Sequence, residues 1–295
     1  MAHVIDKISL AIMFSIQNLL SRFRGSRTGE SVEPQYYLSV CCIVKDENDY
    51  LAEWLDYHRK VGVEHFYIYD NGSKSPVKEA VAALDYSEWV TVTGIPGQNM
   101  HVKAYQHCLD NFGYNSRWIG FIDMDEFIVP KNESANLPRL LEKYEEYGGL
   151  GLSWLIFGSN NHIQKPAGSQ LENFTRRSEI SFPPNRHIKS IVQPRFVQSA
   201  YKSHCFKFKP GYSCVNEHFV PIEEALADVS VDTIQLNHYY CRSLEEYRQK
   251  VERGISDTKR KRKLEEFHNH DNESNLVEDT TILRILDKLK TPQNS

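Results

Sequence analysis

The sequence lacks closely paired cysteines, long apolar runs, a marked charge of either sign and internal repeats. Its six cysteines show no Cys-x-x-Cys spacing and several lie in apolar runs, so we expect buried, reduced thiols in a cytoplasmic protein. The 35 basic and 39 acidic residues leave a net charge of −4, which provides no broad positive field. Neither a nucleic-acid partner nor a disulfide framework is therefore expected.

Residues 1–35 differ from the rest, and we interpret them as an amphipathic helix and a linker. Apolar residues recur there at helical spacings of three and four. They are Ile5, Ile8, Ile12, Ile16, Leu19 and Phe23. The longest uncharged run, residues 8–21, is too short and too polar to predict a membrane span, and no signal-peptide cleavage site accompanies it. Two interpretations stay open for residues 5–23: a peripheral helix on the inner face of a membrane, or docking on its own domain or on another subunit of a homo-oligomer.

From residue 36, short apolar runs alternate with amphipathic stretches. Predicted strands cover residues 37–44, 65–69 and 89–93, and predicted helices cover residues 50–61, 77–84 and 100–112. This alternation predicts an α/β fold with a Rossmann-like, mainly parallel central sheet and helices on both faces. We assign residues 36–241 to this domain and residues 242–295 to a C-terminal helical extension. Right-handed crossovers would then place Lys45, Asp70 and Asp123 along one rim.

The segment of residues 117–130 is the most informative one. An apolar run leads into Asp123, Asp125 and Glu126, and a second apolar run closes at Pro130. Ligands usually bind at such strand ends in open α/β sheets. If the backbone stays extended, Asp123 and Asp125 share a face and repel each other unless a cation such as Mg²⁺ or Mn²⁺ lies between them. The alternative is a polar strand end with solvated acids.

The later half of the chain carries short strand-like pieces between long loops. The predicted strands are residues 150–157, 187–192, 205–208 and 231–240. Loops of this length in a compact protein are commonly binding elements. A basic run at residues 259–263 is interpreted as a solvated face or as a contact with anionic lipid.

Several motifs follow one another in a fixed order between residues 36 and 254. They include Val44-Lys45-Asp46-Glu47, Phe121-Ile122-Asp123-x-Asp125-Glu126-Phe127, Phe157-Gly158-Ser159-Asn160, His187-x-Lys189-Ser190 and Asn237-His238-Tyr239-Tyr240. Each motif alone is weak, but the set resembles glycosyltransferase family 92 and the family 2-like glycosyltransferases of GT-A fold. The resemblance implies inverting transfer of a hexose, galactose or a related sugar, from a UDP-sugar. The implied acceptor is a glycan or a lipid-linked glycan, such as a growing surface polysaccharide.

The resemblance also implies which residues form the donor site. Asp123 would reach the donor ribose or the metal, and Asp125 and His238 would bind Mn²⁺ or Mg²⁺. A nitrogen ligand favours Mn²⁺, whereas a core histidine bonded to the backbone is the alternative for His238. The nucleotide pocket would be lined by Lys45, Asp46, Glu47, Asp70 and Asn71. For these five, loop capping or turn formation is the alternative.

Inverting transfer also needs a carboxylate that accepts the proton of the acceptor hydroxyl. This acid is expected on the acceptor side, beyond the Asp-x-Asp segment in the chain. Glu217 is the first candidate and Glu172 is the second, because both follow that segment. Further candidates for contact with the diphosphate or the acceptor are His162, His187, Lys189 and His204. For His162, a solvated loop position is the alternative.

Two rival functions remain for the Asp-x-Asp segment. A phosphotransferase of the haloacid dehalogenase kind would use Asp123 as nucleophile, although it usually carries the motif at its first strand. A GT-A-shaped sugar-binding protein without turnover is the second rival, and the retained Asp123, Asp125 and His238 favour an enzyme over it.

Overall fold

The computed structural model describes residues 33–253 and 262–290. Strands β1 to β14 are, in order, Tyr36–Val44, His65–Asp70, Val90–Gly94, Ser116–Phe121, Glu126–Pro130, Gly149–Ile156, Arg176–Arg177, Ile188–Val192, Val197–Ala200, Phe206–Phe208, Cys214–Val215, Pro221–Ile222, Ile234–His238 and Val277–Glu278. Helices α1 to α8 are Asn48–Lys60, Val77–Ala83, His101–Phe112, Leu137–Leu141, Gln170–Asn173, Leu244–Arg253, Leu264–Glu273 and Thr281–Lys290. The predicted helix at residues 5–23 and most of the basic run lie outside the described residues.

A ten-stranded sheet forms the centre of the fold, with the strand order β12-β11-β6-β8-β4-β1-β2-β3. Strand β1 is parallel to β2 and β4, and β2 is parallel to β3. Strand β8 runs antiparallel between β4 and β6, and β13 joins β6 to β5. The predicted α/β class, with the mainly parallel sheet expected of a GT-A fold, is confirmed.

The parallel strands end together at one rim of the sheet. The last residue of β1 lies opposite Asp70 of β2, and Cys41 lies opposite Phe121, the last residue of β4. The segments that begin at Lys45 and near Asp123 therefore leave the sheet side by side. The predicted rim is confirmed.

Helix α1 anchors the segment that follows the Asp-x-Asp turn. Its Trp54 indole N–H donates to the Glu126 carbonyl at 2.9 Å, and the Tyr57 hydroxyl donates to the Ile128 carbonyl at 2.9 Å. His58 Nδ1 lies 2.9 Å from the Trp54 carbonyl, and its Nε2 accepts the Ile128 N–H at 3.3 Å. The helix then ends before Gly62, whose φ of +104° suits glycine.

His58 makes the fold sensitive to acid. Burial lowers its pKa to about 3, whereas an unfolded histidine titrates near 6.5. The stabilisation that neutral His58 contributes is thus complete above pH 6.5 and is lost as pH falls from 6.5 towards 3, by about 1.4 kcal/mol per pH unit. Urea unfolding of the wild type and of His58→Gln between pH 7 and 4.5 measures this difference. Equal slopes against pH in the two proteins would contradict it.

The C-terminal segment is integrated into the domain. Ile282 and Ile285 of α8 belong to the main hydrophobic core, together with Leu171 and Phe174. Strand β14 pairs with β7. The predicted division at residue 241 therefore coincides with no break in packing.

All six cysteines are unpaired and buried, as expected from their apolar surroundings. In the part of the chain that the structure describes, no helix combines the length and apolar character that crossing a membrane requires.

Candidate active site

The Asp-x-Asp segment forms a turn between β4 and β5. The Glu126 N–H donates to the Asp123 carbonyl at 3.0 Å, and the Glu126 carboxylate accepts the Asp123 N–H at 2.8 Å. The condition that the backbone stays extended from Asp123 to Asp125 is therefore not met. Asp123 and Asp125 face different partners instead of converging on one side of a strand.

Asp123 is held by a buried lysine from β8. Lys189 Nζ lies 2.8 Å from Asp123 Oδ2 and 3.8 Å from Glu126 Oε2, and the Lys189 side chain is 1% exposed. His101, at the start of α3, lies 3.4 Å from the other oxygen of Asp123. Burial raises the pKa of Asp123, but Lys189 and His101 outweigh burial and bring this pKa below its usual value. Burial raises the pKa of Glu126, which favours its protonated form.

Asp125 is held by a lysine from α6 and faces a histidine from β13. Lys250 Nζ lies 2.6 Å from Asp125 Oδ2, and His238 Nε2 lies 3.6 Å from Asp125 Oδ1. Burial raises the pKa of Asp125, but Lys250 and His238 outweigh burial and bring it well below its usual range. Burial lowers the pKa of His238, so its imidazole is neutral near pH 7. Its Nδ1 is buried and has no hydrogen-bond partner.

Asp125 and His238 fit a divalent metal. A carboxylate oxygen and a neutral imidazole nitrogen suit Mn²⁺ better than Mg²⁺. Asp123 is held by Lys189 and does not form a compact set of three ligands with Asp125 and His238. Among residues 33–253 and 262–290, the three-residue set whose ligand atoms all lie within 4.8 Å of one another is Glu217, His218 and Asp232. Two of the three predicted ligands are therefore brought together.

Glu217 is an anchor for the chain at the start of β13. Its side chain is 1% exposed, and its carboxylate accepts five hydrogen bonds at 2.5 to 3.1 Å. The donors are Ser230 Oγ, Thr233 Oγ1 and the N–H groups of Asp232, Thr233 and Ile234. Burial raises the pKa of Glu217, but these hydrogen bonds outweigh burial and lower it.

This position argues against the prediction that Glu217 is the catalytic base. His238 is the last residue of β13, about 13 Å along the strand from its start. A base must also present a free lone pair to the acceptor hydroxyl, and the oxygens of Glu217 are already occupied. The same hydrogen bonds argue against a metal at Glu217, His218 and Asp232, because a cation would have to displace them.

Glu217→Gln is expected to lower the free energy of unfolding by about 1.5–3 kcal/mol, since it replaces an accepting oxygen with an NH₂ group that faces N–H donors. Urea denaturation measures the change. The exposed Glu172→Gln is the matched control and should stay within about 0.5 kcal/mol of wild type. Turnover per folded molecule should be unchanged in Glu217→Gln, and a large fall would restore Glu217 as the base.

A cavity of about 410 Å³ lies between the loop after β1 and helix α6. Charged side chains of both signs line this charged cavity. The basic ones are Lys45, Lys74, Lys165, Arg242, Lys250 and Arg253, and the acidic ones are Asp46, Glu47, Asp49, Glu246 and Glu252. Asp46 and Glu47 also line it, so three of the five residues predicted for the nucleotide pocket are in place. Glu47 binds Arg242 at 3.1 Å and Arg253 at 2.9 Å, which ties α6 to the β1 loop.

Asp70 and Asn71, the other two, organise the loop beside this cavity and do not line it. The Asp70 carboxylate accepts the N–H groups of Ser73 at 2.8 Å and Val77 at 3.2 Å. Asn71 is buried and donates to two backbone carbonyls beyond β3. Both therefore have the turn-forming contacts given above as their alternative, and their contact with a nucleotide stays a prediction.

Trp154 of β6 and three histidine rings form an aromatic cluster next to Asp125. The Trp154 ring centroid lies 4.3 Å from that of His238, 4.9 Å from His187 and 5.2 Å from His204. Two of the histidines predicted as diphosphate or acceptor contacts thus meet at one place. His162 lies apart from these histidines, in a loop next to α6. Its backbone carbonyl accepts the N–H of Leu244, the first residue of α6.

Sequence reasoning missed four basic side chains of the site: His101, Arg242, Lys250 and Arg253. Lys250 follows Tyr247 at a helical spacing of three, so it falls on the buried stripe of α6. A lysine on a buried stripe is rare unless it is paired. That mismatch is the signal that could have indicated Lys250.

Some solved structures are similar to this chain at low sequence identity. Staphylococcus aureus TarS 1–349 is 13% identical, over 69% of this chain and 60% of that chain, with a TM-score of 0.38. Glucosyl-3-phosphoglycerate synthase from Mycobacterium tuberculosis, solved with Mn²⁺, UDP and glucosyl-3-phosphoglycerate, is 15% identical over 41% of this chain and 44% of that chain, with a TM-score of 0.29.

Curated relatives are plant proteins of one family. A glycosyltransferase family 92 protein of Ricinus communis is 27% identical over 235 residues, 75% of this chain and 38% of the relative. One of Oryza sativa subsp. japonica is 30% identical over 186 residues, 61% of this chain and 31% of the relative. The chain therefore spans about a third of the length of these relatives. The sequence profile of glycosyltransferase family 92 matches residues 35–280, most of the chain. The chain belongs to glycosyltransferase family 92.

Proposed function

We propose that this chain is a metal-dependent glycosyltransferase that moves a hexose, galactose or a related sugar, from UDP to a hydroxyl of a glycan or lipid-linked acceptor. The observation that carries the proposal is the position of Asp125 and His238. Both lie at the rim where the parallel strands end, and Lys250 links Asp125 to the charged cavity. A carboxylate–imidazole pair beside the Lys250 ammonium suits a metal-bound diphosphate.

Asp125 and His238 would hold the metal, and Asp123 would orient the donor ribose. When bound, the divalent ion would act as a Lewis acid and stabilise the negative charge of the departing diphosphate. Lys250 and Arg253 would add positive charge around the same group. Lys189 keeps Asp123 ionised in a buried position, so that Asp123 can accept hydrogen bonds from a ribose hydroxyl.

The acceptor side is proposed at a second cleft, of about 280 Å³. This cleft shares Tyr50 and Lys165 with the charged cavity. Gln170 of α5 also lines the cleft. The Gln170 side-chain amide is buried and has no hydrogen-bond partner, which leaves its donors and acceptor for a hydroxylated ligand. Glu172, exposed on the same short helix, stays the predicted base for an inverting reaction.

Thermal unfolding with Mn²⁺ and a panel of nucleotide sugars tests the donor proposal. UDP-galactose, UDP-glucose and GDP-mannose are compared on wild type and on Asp125→Ala. A UDP-sugar should raise the melting temperature of the wild type only when Mn²⁺ is present, and it should not do so in Asp125→Ala. The absence of any donor-dependent shift in the wild type would contradict the proposal.

The alternative of a sugar-binding protein without turnover is favoured by one observation. The carboxylates of Asp123 and Asp125 are each already paired with a lysine. Release of UDP from a bound donor separates the two functions, because a binding protein would show the thermal shift without releasing UDP. The phosphotransferase alternative is set aside by the family. The contact of residues 5–23 with a membrane remains a proposal.

A further inference from the structure

Lys250 occupies the carboxylate that the proposed metal requires. Its Nζ lies 2.6 Å from Asp125 Oδ2 and 3.0 Å from the Tyr240 carbonyl, and its side chain is 6% exposed. The other oxygen of Asp125 is the one near His238 Nε2, at 3.6 Å. An ammonium group and a metal ion would therefore share a single carboxylate.

Charge makes that arrangement unfavourable. A divalent ion at Asp125 would lie a few ångströms from the Lys250 ammonium, and like charges repel strongly at such distances when solvent is excluded. The Asp125 side chain is 13% exposed, so water screens little of this repulsion. Two acids of the cavity lie near Lys250, but Glu47 is already bound to Arg242 and Arg253, and burial raises the pKa of Glu246 and favours its protonated form. Metal binding alone thus requires Lys250 to leave Asp125 without a new ionised partner.

A diphosphate supplies that partner. Lys250 also lines the charged cavity. Arg242 and Arg253 line it too, but both are bound to Glu47, and Arg253 additionally donates to the Lys45 carbonyl at 2.7 Å. Among the described basic residues of the cavity, Lys250 is the one that binds Asp125. Rotation of its long side chain would move the ammonium away from Asp125 and into the cavity.

We propose, building on the proposed function, that Lys250 acts as a placeholder for the metal. Its ammonium neutralises Asp125 in the free protein, leaves when the metal and the diphosphate arrive together, and then pairs with the diphosphate. In this arrangement the ammonium always has an anionic partner. The metal and the nucleotide consequently bind with positive coupling, and Lys250 is the origin of that coupling.

Linkage requires the coupling to be reciprocal, so either ligand can report it. Mn²⁺ binding to the full chain is followed by electron paramagnetic resonance, which detects the free ion, with and without UDP. In the wild type, UDP should strengthen Mn²⁺ binding by about tenfold or more. In Lys250→Met, Mn²⁺ alone should bind about tenfold more tightly than it binds the wild type, and UDP should add less than about threefold.

Lys250→Arg is the matched control, because it keeps a cation beside Asp125 and should bind Mn²⁺ alone as weakly as the wild type. Circular dichroism checks that each variant is folded. The placeholder proposal would be overturned if Lys250→Met bound Mn²⁺ alone no more tightly than the wild type does. So would a wild type that binds Mn²⁺ equally well with and without UDP, a measurement that needs no variant. If the wild type binds no Mn²⁺ even with UDP, the metal dependence of the proposed function fails as well.

Discussion

Asp125→Asn is expected to lower kcat/KM for the nucleotide-sugar donor by about 10²- to 10³-fold, comparable to the loss of one preorganised charge-stabilising group. The substitution keeps the size of the side chain but removes the negative charge that the proposed metal would require. The departing diphosphate would then lose its electrostatic stabilisation in the transition state. Initial rates of UDP release at saturating Mn²⁺ measure the effect.

The control for Asp125→Asn is the same chemical change at Asp228, which lines neither the cavity nor the second cleft. The Asp228 side chain is 85% exposed and lies 3.8 Å from Arg186, so Asp228→Asn should change the rate by less than about threefold. Because Asp125→Asn leaves Lys250 buried without its carboxylate, the free energy of unfolding is measured beside the rates. A folded Asp125→Asn protein with wild-type turnover would contradict the proposed metal site.

Lys189→Met is expected to lower the free energy of unfolding by about 3–5 kcal/mol, the usual cost of removing one partner of a buried ion pair. The Lys189 side chain is 1% exposed and lies between the carboxylates of Asp123 and Glu126. Without its ammonium, the partly buried Asp123 carboxylate would lose its nearest compensating charge, and Glu126 would lose a polar neighbour in the interior of the protein. Urea denaturation at pH 7 measures the loss.

The matched variants for Lys189 are Asp123→Asn and the double variant Lys189→Met/Asp123→Asn. Removing both charges should restore much of the stability that Lys189→Met loses, so the double variant should be more stable than the sum of the two single changes indicates. Strict additivity, or a loss below about 1 kcal/mol in Lys189→Met, would show that the pair contributes little to the fold.

Local periodicity made the parallel half of the fold predictable. The apolar run at residues 65–69 matches β2, His65–Asp70, and the amphipathic stretch at residues 50–61 matches α1, Asn48–Lys60. Such patterns depend only on neighbouring residues, and parallel strands connected by helices end on the same rim. The position of Asp125 and His238 near that rim followed from the order of the motifs.

Side-chain partners that are distant in sequence were not predictable in the same way. Asp123 and Lys189 are 66 positions apart, and Asp125 and Lys250 are 125 positions apart. No local pattern specifies such pairs. Glu217 was mistaken for a base for the same reason: an acid in a loop looks available until the five donors that surround it are placed in space.

The insertion of β13 between β5 and β6 has a consequence for synthesis of the chain. Strand β5 ends at Pro130, whereas β13 ends at His238, so a growing chain must lengthen by 108 residues before the two can pair fully. At the usual 5–20 residues per second this takes roughly 5 to 20 s. During that interval the facing edges of β5 and β6 lack their partner and are open to pairing with other chains. The pair of Asp125 and His238 can therefore form only after residue 238 has been synthesised.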